Sequence, residues 1–139
     1  MPNQLFISKK YIFKDVIRLA EEWRIAYDKY GSNGGSIGEM RQFQETPEYQ
    51  KIKVKKNVLS DYLLNLSFDD VKMVQTVMYL GRDKDYKKSQ SNIEIYKSML
   101  EDLGTNGWNT KEIEVRQIAQ KLPLADYLRS GLEILNVSI

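Results

Sequence analysis

Residues 67–81 read SFDDVKMVQTVMYLG, and this stretch decides the fold. When the segment is drawn as a helix, apolar side chains occupy most of its surface, so other parts of the chain must pack around it. Ser67 and Asp70 have the spacing of a capping box, although Glu or Gln is the usual second member. We therefore predict a buried central helix that begins after Ser67 and is ended by Gly81.

The segment before it predicts a long amphipathic helix. From residue 8 to residue 30, apolar side chains recur at intervals of three and four residues, which is one face of a helix. Ser8 is its expected N-cap. The run GSNGGS at 31–36 ends this first helix and forms a loop, because glycine and asparagine favour positive φ and disfavour a helix interior.

The remaining helices are expected within residues 47–135. Thr46 followed by Pro47 is typical of an N-cap and a first helical residue. Apolar periods separated by turns then continue to the end of the range. The inward positions expected on the helices around the central one are Ile12, Val16, Leu19, Trp23, Ala26, Tyr30, Ile52, Leu59, Leu63, Leu66, Ile93, Tyr96, Leu100, Leu103, Ile113, Ile118, Leu122, Leu124, Leu128, Leu132 and Leu135.

The helical periods, and the lack of any strict alternation of apolar and polar residues longer than four residues, predict one all-α domain, a bundle of about six helices over residues 1–139. Apolar residues make up 42% and charged residues 29%, as in ordinary folded chains. A chain of this size buries about two thirds of its extended surface, which is enough for a core without disulfides. No apolar run has the length of a membrane span, and the N-terminus lacks the features of a signal peptide. We expect a cytoplasmic protein with no membrane partner.

The absence of two residue types excludes much catalytic chemistry. The sequence contains no histidine and no cysteine, which removes Ser-His and Cys-His triads and the imidazole base. The usual zinc and haem ligands are missing as well. Carboxylate pairs remain, but nothing in the sequence sets their separation. We therefore expect no catalytic residue, no metal and no cofactor, and predict that the protein is not an enzyme.

Several short motifs occur in the order and spacing of a known family. The two most specific are LGR at 80–82, at the end of the central helix, and PLADYLRSGL at 123–132. With the other motifs they resemble the bacterial domain-of-unknown-function family 3775 over about residues 19–135. The resemblance implies a helical scaffold and a bacterial or phage-like origin, and the family implies no assigned activity. The family-motif residues are Gly81, Arg82, Pro123, Asp126, Tyr127 and Gly131.

Two of these motif residues have alternative interpretations. Arg82 with Asp83 and Asp85 would make a small polar site for an anion or a metal, although two carboxylates fall short of the oxygens that calcium needs. We favour a structural role, in which Arg82 caps carbonyls of the central helix and pairs with a neighbouring carboxylate. Asp126 is favoured by the helix dipole in a first turn. Whether the two residues form one site is left open by the sequence.

A group of lysines is the best argument for a nucleic-acid surface. Lysines attract phosphates, and the nearby Tyr49 and Tyr86 would stack on unpaired bases. The net charge of +2 and a sequence pI of about 8.6 argue against this function. The nucleic-acid candidates are Lys51, Lys53, Lys55, Lys56, Lys87 and Lys88.

Aromatic residues favour a protein interface instead. The chain has nine Tyr, four Phe and two Trp, and tyrosine and tryptophan are enriched at interface hot spots. The candidates are Trp23, Tyr27, Tyr30 and Trp108, of which Trp108 either covers the core edge or faces a partner. We predict a small non-enzymatic protein that binds another protein, a second copy of itself included. An accessory or phage-encoded inhibitor of a host complex is one form of this function. A nucleic-acid-associated protein with a lysine-rich face is the alternative.

Overall fold

All regular secondary structure is α-helical in the computed structural model, which describes residues 4–31 and 35–139. The all-α prediction is therefore confirmed. The described residues form eight helices where about six were expected, because two short ones have no counterpart in the prediction. The helices are α1 (Gln4–Ile7), α2 (Lys10–Tyr30), α3 (Ile37–Gln44), α4 (Pro47–Leu64), α5 (Phe68–Asp83), α6 (Asn92–Gly104), α7 (Lys111–Ala119) and α8 (Leu124–Ile134).

The apolar segment forms the buried helix α5, as predicted. Nine of its sixteen residues are buried, and it lies against α6, α7 and α8. The Ser67 hydroxyl accepts a hydrogen bond from the Asp70 amide at 3.1 Å, so the predicted N-cap is confirmed. The Asp70 carboxylate pairs with Lys9 at 3.3 Å. This ion pair connects the start of α5 to the start of α2.

Gly81 does not end α5, and this prediction is wrong. The helix continues to Asp83, and Lys84 ends it in a left-handed conformation with φ of 52°. Glycine is needed at position 81 because α8 crosses there. A Cβ atom at Gly81 would overlap the Tyr127 carbonyl oxygen and lie 2.6 Å from the Gly131 amide nitrogen. The lack of a side chain, rather than a positive φ, explains this residue.

Gly131 makes the same contact from the α8 side. A Cβ atom there would overlap the Val77 carbonyl oxygen and lie 2.8 Å from a methyl carbon of the same valine. The α5 and α8 backbones therefore touch at Gly81 and Gly131. The leucines of α8 are drawn against α5 by this contact, and Leu128 and Leu132 are buried.

The second layer consists of α2 with α4 and α8 beside it. The Tyr62 hydroxyl donates to the Asp15 carboxylate at 2.8 Å, which joins α4 to α2. Burial and this hydrogen bond raise the pKa of Tyr62. Arg129 forms an ion pair with Glu21, which joins α8 to α2. Polar contacts thus orient helices whose apolar faces meet in one hydrophobic cluster.

The start of the first long helix differs from the prediction. Ser8 does not cap α2, which begins at Lys10 and has no side-chain cap. The short helix α1 precedes it, and its Phe6 is fully buried. The Phe6 ring meets Phe13 and Tyr96 edge to face, at 5.8 and 5.0 Å between ring centres. Ser8 therefore lies in the turn between α1 and α2.

Helix α3 was missed in the sequence. Its eight residues are all described and none is buried, and its apolar repeat is limited to Ile37, Met40 and Phe43. Ser36 caps it, accepting from the Glu39 amide at 3.1 Å. The loop predicted for 31–36 includes Gly31, Gly35 and Ser36, which are not helical, while 32–34 lie outside the described residues.

Most of the expected inward positions are confirmed, and two are wrong. Ile93 and Ile113 are 39% and 36% exposed. In α6 a capping box between Ser91 and Glu94 sets the first turn, and the buried residue there is Ile95. The buried ones are Ile12, Val16, Leu19, Trp23, Ala26, Ile52, Leu59, Leu63, Tyr96, Ile118, Leu124, Leu128, Leu132 and Leu135; Tyr30, Leu66, Leu100, Leu103 and Leu122 are half-buried.

The glycine contact predicts the effect of a single methyl group. Gly81→Ala is expected to lower the free energy of unfolding by about 1–3 kcal/mol, because α8 must move or α5 must distort. Urea unfolding followed by circular dichroism measures this. The matched control is Gly38→Ala in α3, where the new Cβ atom comes no closer than 3.8 Å to another residue. Equal stability of Gly81→Ala and wild type would show that the two backbones are not in contact.

Burial of Tyr96 predicts a dependence of stability on alkaline pH. Burial, followed by the charges of Asp70 and Asp69, raises the pKa of Tyr96 from 10.0 to about 12. The unfolded chain releases this proton first, so the contribution of Tyr96 is full below pH 10 and is lost as the pH rises towards 12. Urea unfolding at several pH values should show a steeper loss for wild type than for Tyr96→Phe. Equal slopes would contradict the burial of this hydroxyl.

Candidate functional site

An apolar cleft of about 260 Å³ lies between the end of α2, α3 and the start of α4. Its floor includes the buried Ile52, and its rim is formed by residues of α2 and α3. The lining residues are Tyr27, Gly31, Met40, Phe43, Gln44, Tyr49 and Ile52.

The turn between α3 and α4 sets the shape of this cleft. The Thr46 hydroxyl donates to the Phe43 carbonyl oxygen at 2.6 Å and accepts from the Tyr49 amide at 3.3 Å. Thr46 therefore caps α4, as the sequence predicts, and also holds the end of α3. The Phe43 and Tyr49 rings pack edge to face, 5.9 Å apart, across the same turn.

The rim exposes apolar side chains to solvent. On the rim, Met40 is 49% exposed and Tyr27 is 43% exposed, and Ile37, three residues before Met40 on α3, is 72% exposed. Single exposed apolar residues are ordinary, but several around an apolar cleft are typical of an interaction surface. This arrangement can bind an apolar side chain without any covalent chemistry.

The four aromatic candidates lie in different places. Trp23 is 5% exposed and belongs to the core, so its assignment to an interface is wrong. Tyr27 lines the cleft. Tyr30 is half-buried, with the Lys51 amine 4.7 Å from its ring centre. Trp108 is half-buried elsewhere, in the turn after α6, with the Lys72 amine 5.3 Å from its ring centre.

Most of the residues that line the cleft were not predicted from the sequence. Met40, Phe43 and Tyr49 were not among the aromatic and apolar candidates. A signal was present, because Ile37, Met40 and Phe43 recur every third residue, as on one face of a helix. The signal was overlooked because the segment is short and follows a glycine-rich run.

The family-motif residues near the end of α5 serve the packing of the bundle. Gly81 and Gly131 form the backbone contact, and the carbonyl oxygen of Tyr127 lies at the same crossing. Arg82 binds Asp83 at 2.8 Å, and the pKa of the arginine is raised by this bond. Its guanidinium carbon is 4.4 Å from the Tyr79 ring centre. The predicted pairing of Arg82 with a neighbouring carboxylate is thus confirmed.

The motif residues at the start of α8 face a different neighbourhood. Pro123 directly precedes the helix, and Asp126 is in its first turn, 3.7 Å from Arg129. Both residues line a shallow cleft against α2, whereas Arg82 lines another cleft, against α7. Arg82 and Asp126 therefore have separate partners and are not brought into one site.

The six lysine candidates do not form one face. Lys51 and Lys53 project from α4 about 160° apart at 3.6 residues per turn. The Lys56 amine lies 5.4 Å from the Trp23 ring centre, so it packs on α2 as Lys51 does. The amines of the six lysines make no ion pair with any described residue. Lys53, Lys55, Lys87 and Lys88 are exposed, the last two in the connection after α5.

The described residues offer neither a metal site nor a membrane span. Within residues 4–31 and 35–139, no group of three acidic, histidine or cysteine side chains is placed to hold a metal ion. No helix in these ranges has both the length and the apolar character needed to cross a bilayer.

Comparison of the chain with family models, curated proteins and solved structures gives no match. The resemblance to family 3775 stays a prediction.

Proposed function

We propose that the protein acts by non-covalent binding to another protein, through the apolar cleft between α2, α3 and α4, and that it has no catalytic activity of its own. The observation that carries this proposal is the exposure of Met40 and Tyr27 on the rim of that cleft, with the exposed Ile37 on the same side of α3 as Met40. Interface hot spots are apolar anchors seated in pockets from which water is excluded. The partner in this proposal presents an aromatic or branched aliphatic side chain to the cleft.

The binding would make the protein a regulator of the complex that it joins. An accessory or phage-encoded inhibitor of a host complex is one form of this role, and a second copy of the chain is one form of the partner. The exposed apolar side chains of the rim favour a protein partner, because a protein surface that covers them removes apolar area from water.

Photo-crosslinking at the cleft tests this proposal. A benzophenone amino acid at the position of Met40 should give a covalent adduct of one discrete mass in cells that produce the protein. The same group at the exposed position of Lys97, on α6, should not give it. Adding Ile37→Asp should remove the adduct, because a carboxylate on the same side of α3 as Met40 opposes burial of that surface. An adduct of two 16.3 kDa chains identifies a second copy as the partner.

The crosslinking result can also refute the proposal. Adducts that form equally at the Met40 and Lys97 positions, or no adduct at either, would mean that the cleft is not a binding surface. Light scattering with size-exclusion chromatography on wild type and Ile37→Asp separates self-association from binding to another protein. A mass that Ile37→Asp halves assigns the cleft to a second copy.

The alternative function is binding of nucleic acid through the exposed lysines. The observation that favours it is the lack of carboxylate partners for these side chains among the described residues. It predicts that Lys53→Glu with Lys55→Glu lowers affinity for a single-stranded oligonucleotide at least tenfold and reduces the salt dependence. Fluorescence anisotropy at two salt concentrations measures this. Our proposal predicts no binding that depends on these lysines, and Met40→Asp is the matched control.

A further inference from the structure

A second cleft, of about 360 Å³, lies where α5 meets α7 and the turn after α6. It is separate from the apolar cleft, and an inference about it does not depend on the proposed function. Its volume falls within the range of small-molecule sites. Polar and aromatic side chains line it together, among them Gln75, Tyr79, Arg82, Trp108, Glu114 and Gln117.

Gln75 gives this cleft a buried polar group without a partner. The residue is 4% exposed and lies in α5, where nine of the sixteen residues are buried. Its Oε1 atom is buried and accepts no hydrogen bond from any described residue. A buried amide oxygen in this state destabilises a fold and is rare in native proteins, unless a water or a ligand supplies the missing donor.

Glu114 gives the cleft a charge without a partner. The residue is only 7% exposed, which is unusual for glutamate. Its carboxylate forms no ion pair with the described residues, whereas Arg82, on the same cleft, is already paired with Asp83 at 2.8 Å. A carboxylate at the end of an otherwise buried side chain is stabilised by a cation that donates hydrogen bonds to it.

The cations near the cleft are engaged elsewhere. Lys121 donates to the Gln117 carbonyl oxygen at 3.0 Å and lies 5.4 Å from the Tyr79 ring centre. Lys72 lies over the Trp108 ring, at 5.3 Å. These contacts leave Glu114 as the lining charge without an opposite charge among the described residues. The two groups of the cleft that lack a partner are therefore the neutral amide oxygen of Gln75 and the negatively charged carboxylate of Glu114.

We propose that this cleft binds a small molecule that carries a protonated amine or guanidinium group. Glu114 pairs with the cation, Gln75 Oε1 accepts one of its hydrogen bonds, and Trp108 covers one side. Ligand binding accounts for the presence of a polar and a charged residue at buried positions of α5 and α7. Hydrogen-bond donors on the ligand satisfy both acceptors at once.

The two tryptophans of the chain make the test specific. In a ¹H–¹⁵N spectrum, the indole signal of Trp108 should shift in a saturable way when agmatine is added to millimolar concentration. The indole signal of Trp23 should stay in place, because Trp23 is buried among α2 and α4 residues. Trp108→Phe assigns the two signals. N-butylurea, which is neutral and of similar shape, should cause no saturable shift.

Three variants separate binding from folding. Glu114→Gln should weaken agmatine binding at least tenfold, whereas Glu112→Gln, an exposed neighbour on α7, should leave it unchanged. Gln75→Leu should weaken binding and unfold at the same or a higher urea concentration than wild type, because it removes the unpaired amide. No movement of the Trp108 signal in wild type would overturn the proposal. Equal binding by Glu114→Gln, or equal shifts with N-butylurea, would overturn it as well.

Discussion

At Gly81 and Gly131 the backbones of α5 and α8 meet without a side chain between them, and the placement of α8 between α5 and α2 depends on this contact. Close approach brings Leu128 and Leu132 against the most buried helix of the chain. It also sets the position of Arg129, which pairs with Glu21 and so places α8 beside α2. A bundle of this kind tolerates little change in volume at the crossing, since interiors are packed as densely as organic crystals.

The cleft proposed for protein binding is lined by no residue of α5 or α8. Helix α3 buries none of its residues, all of which are described, and it is held mainly by the Thr46 hydroxyl and by the Phe43 and Tyr49 rings. Phe43 packs partly against the core, whereas Ile37 and Met40 are exposed. Their exposure fits the proposed binding of another protein, for which α2 and α4 would supply the floor of the cleft.

The sequence predicted what depends on local periodicity and missed what depends on distant contacts. The apolar density of 67–81 identified the central helix, and Thr46 with Pro47 identified the start of α4. Gly81 was taken as a helix end because its reason, a backbone 50 residues further along the chain at Gly131, leaves no local trace. Trp23 lies on the face of α2 that the helical periodicity predicts to be inward, and tryptophan is also enriched at interfaces. Its burial shows that the periodicity was the better guide. The cleft was missed except for Tyr27, because α3 lacks a buried face.

The tight contact between α5 and α8 and the weak attachment of α3, which we propose as a binding surface, should give these helices very different local stabilities. Native-state hydrogen exchange at individual amides tests it most directly. The account predicts that amides of α5 and α8 around Gly81 and Gly131 exchange only through global unfolding. Amides of α3 should exchange at least a hundredfold faster, through a local opening that leaves α2 and α4 protected. Protection of α3 equal to that of α5 would contradict the account, because α3 would then be part of the core.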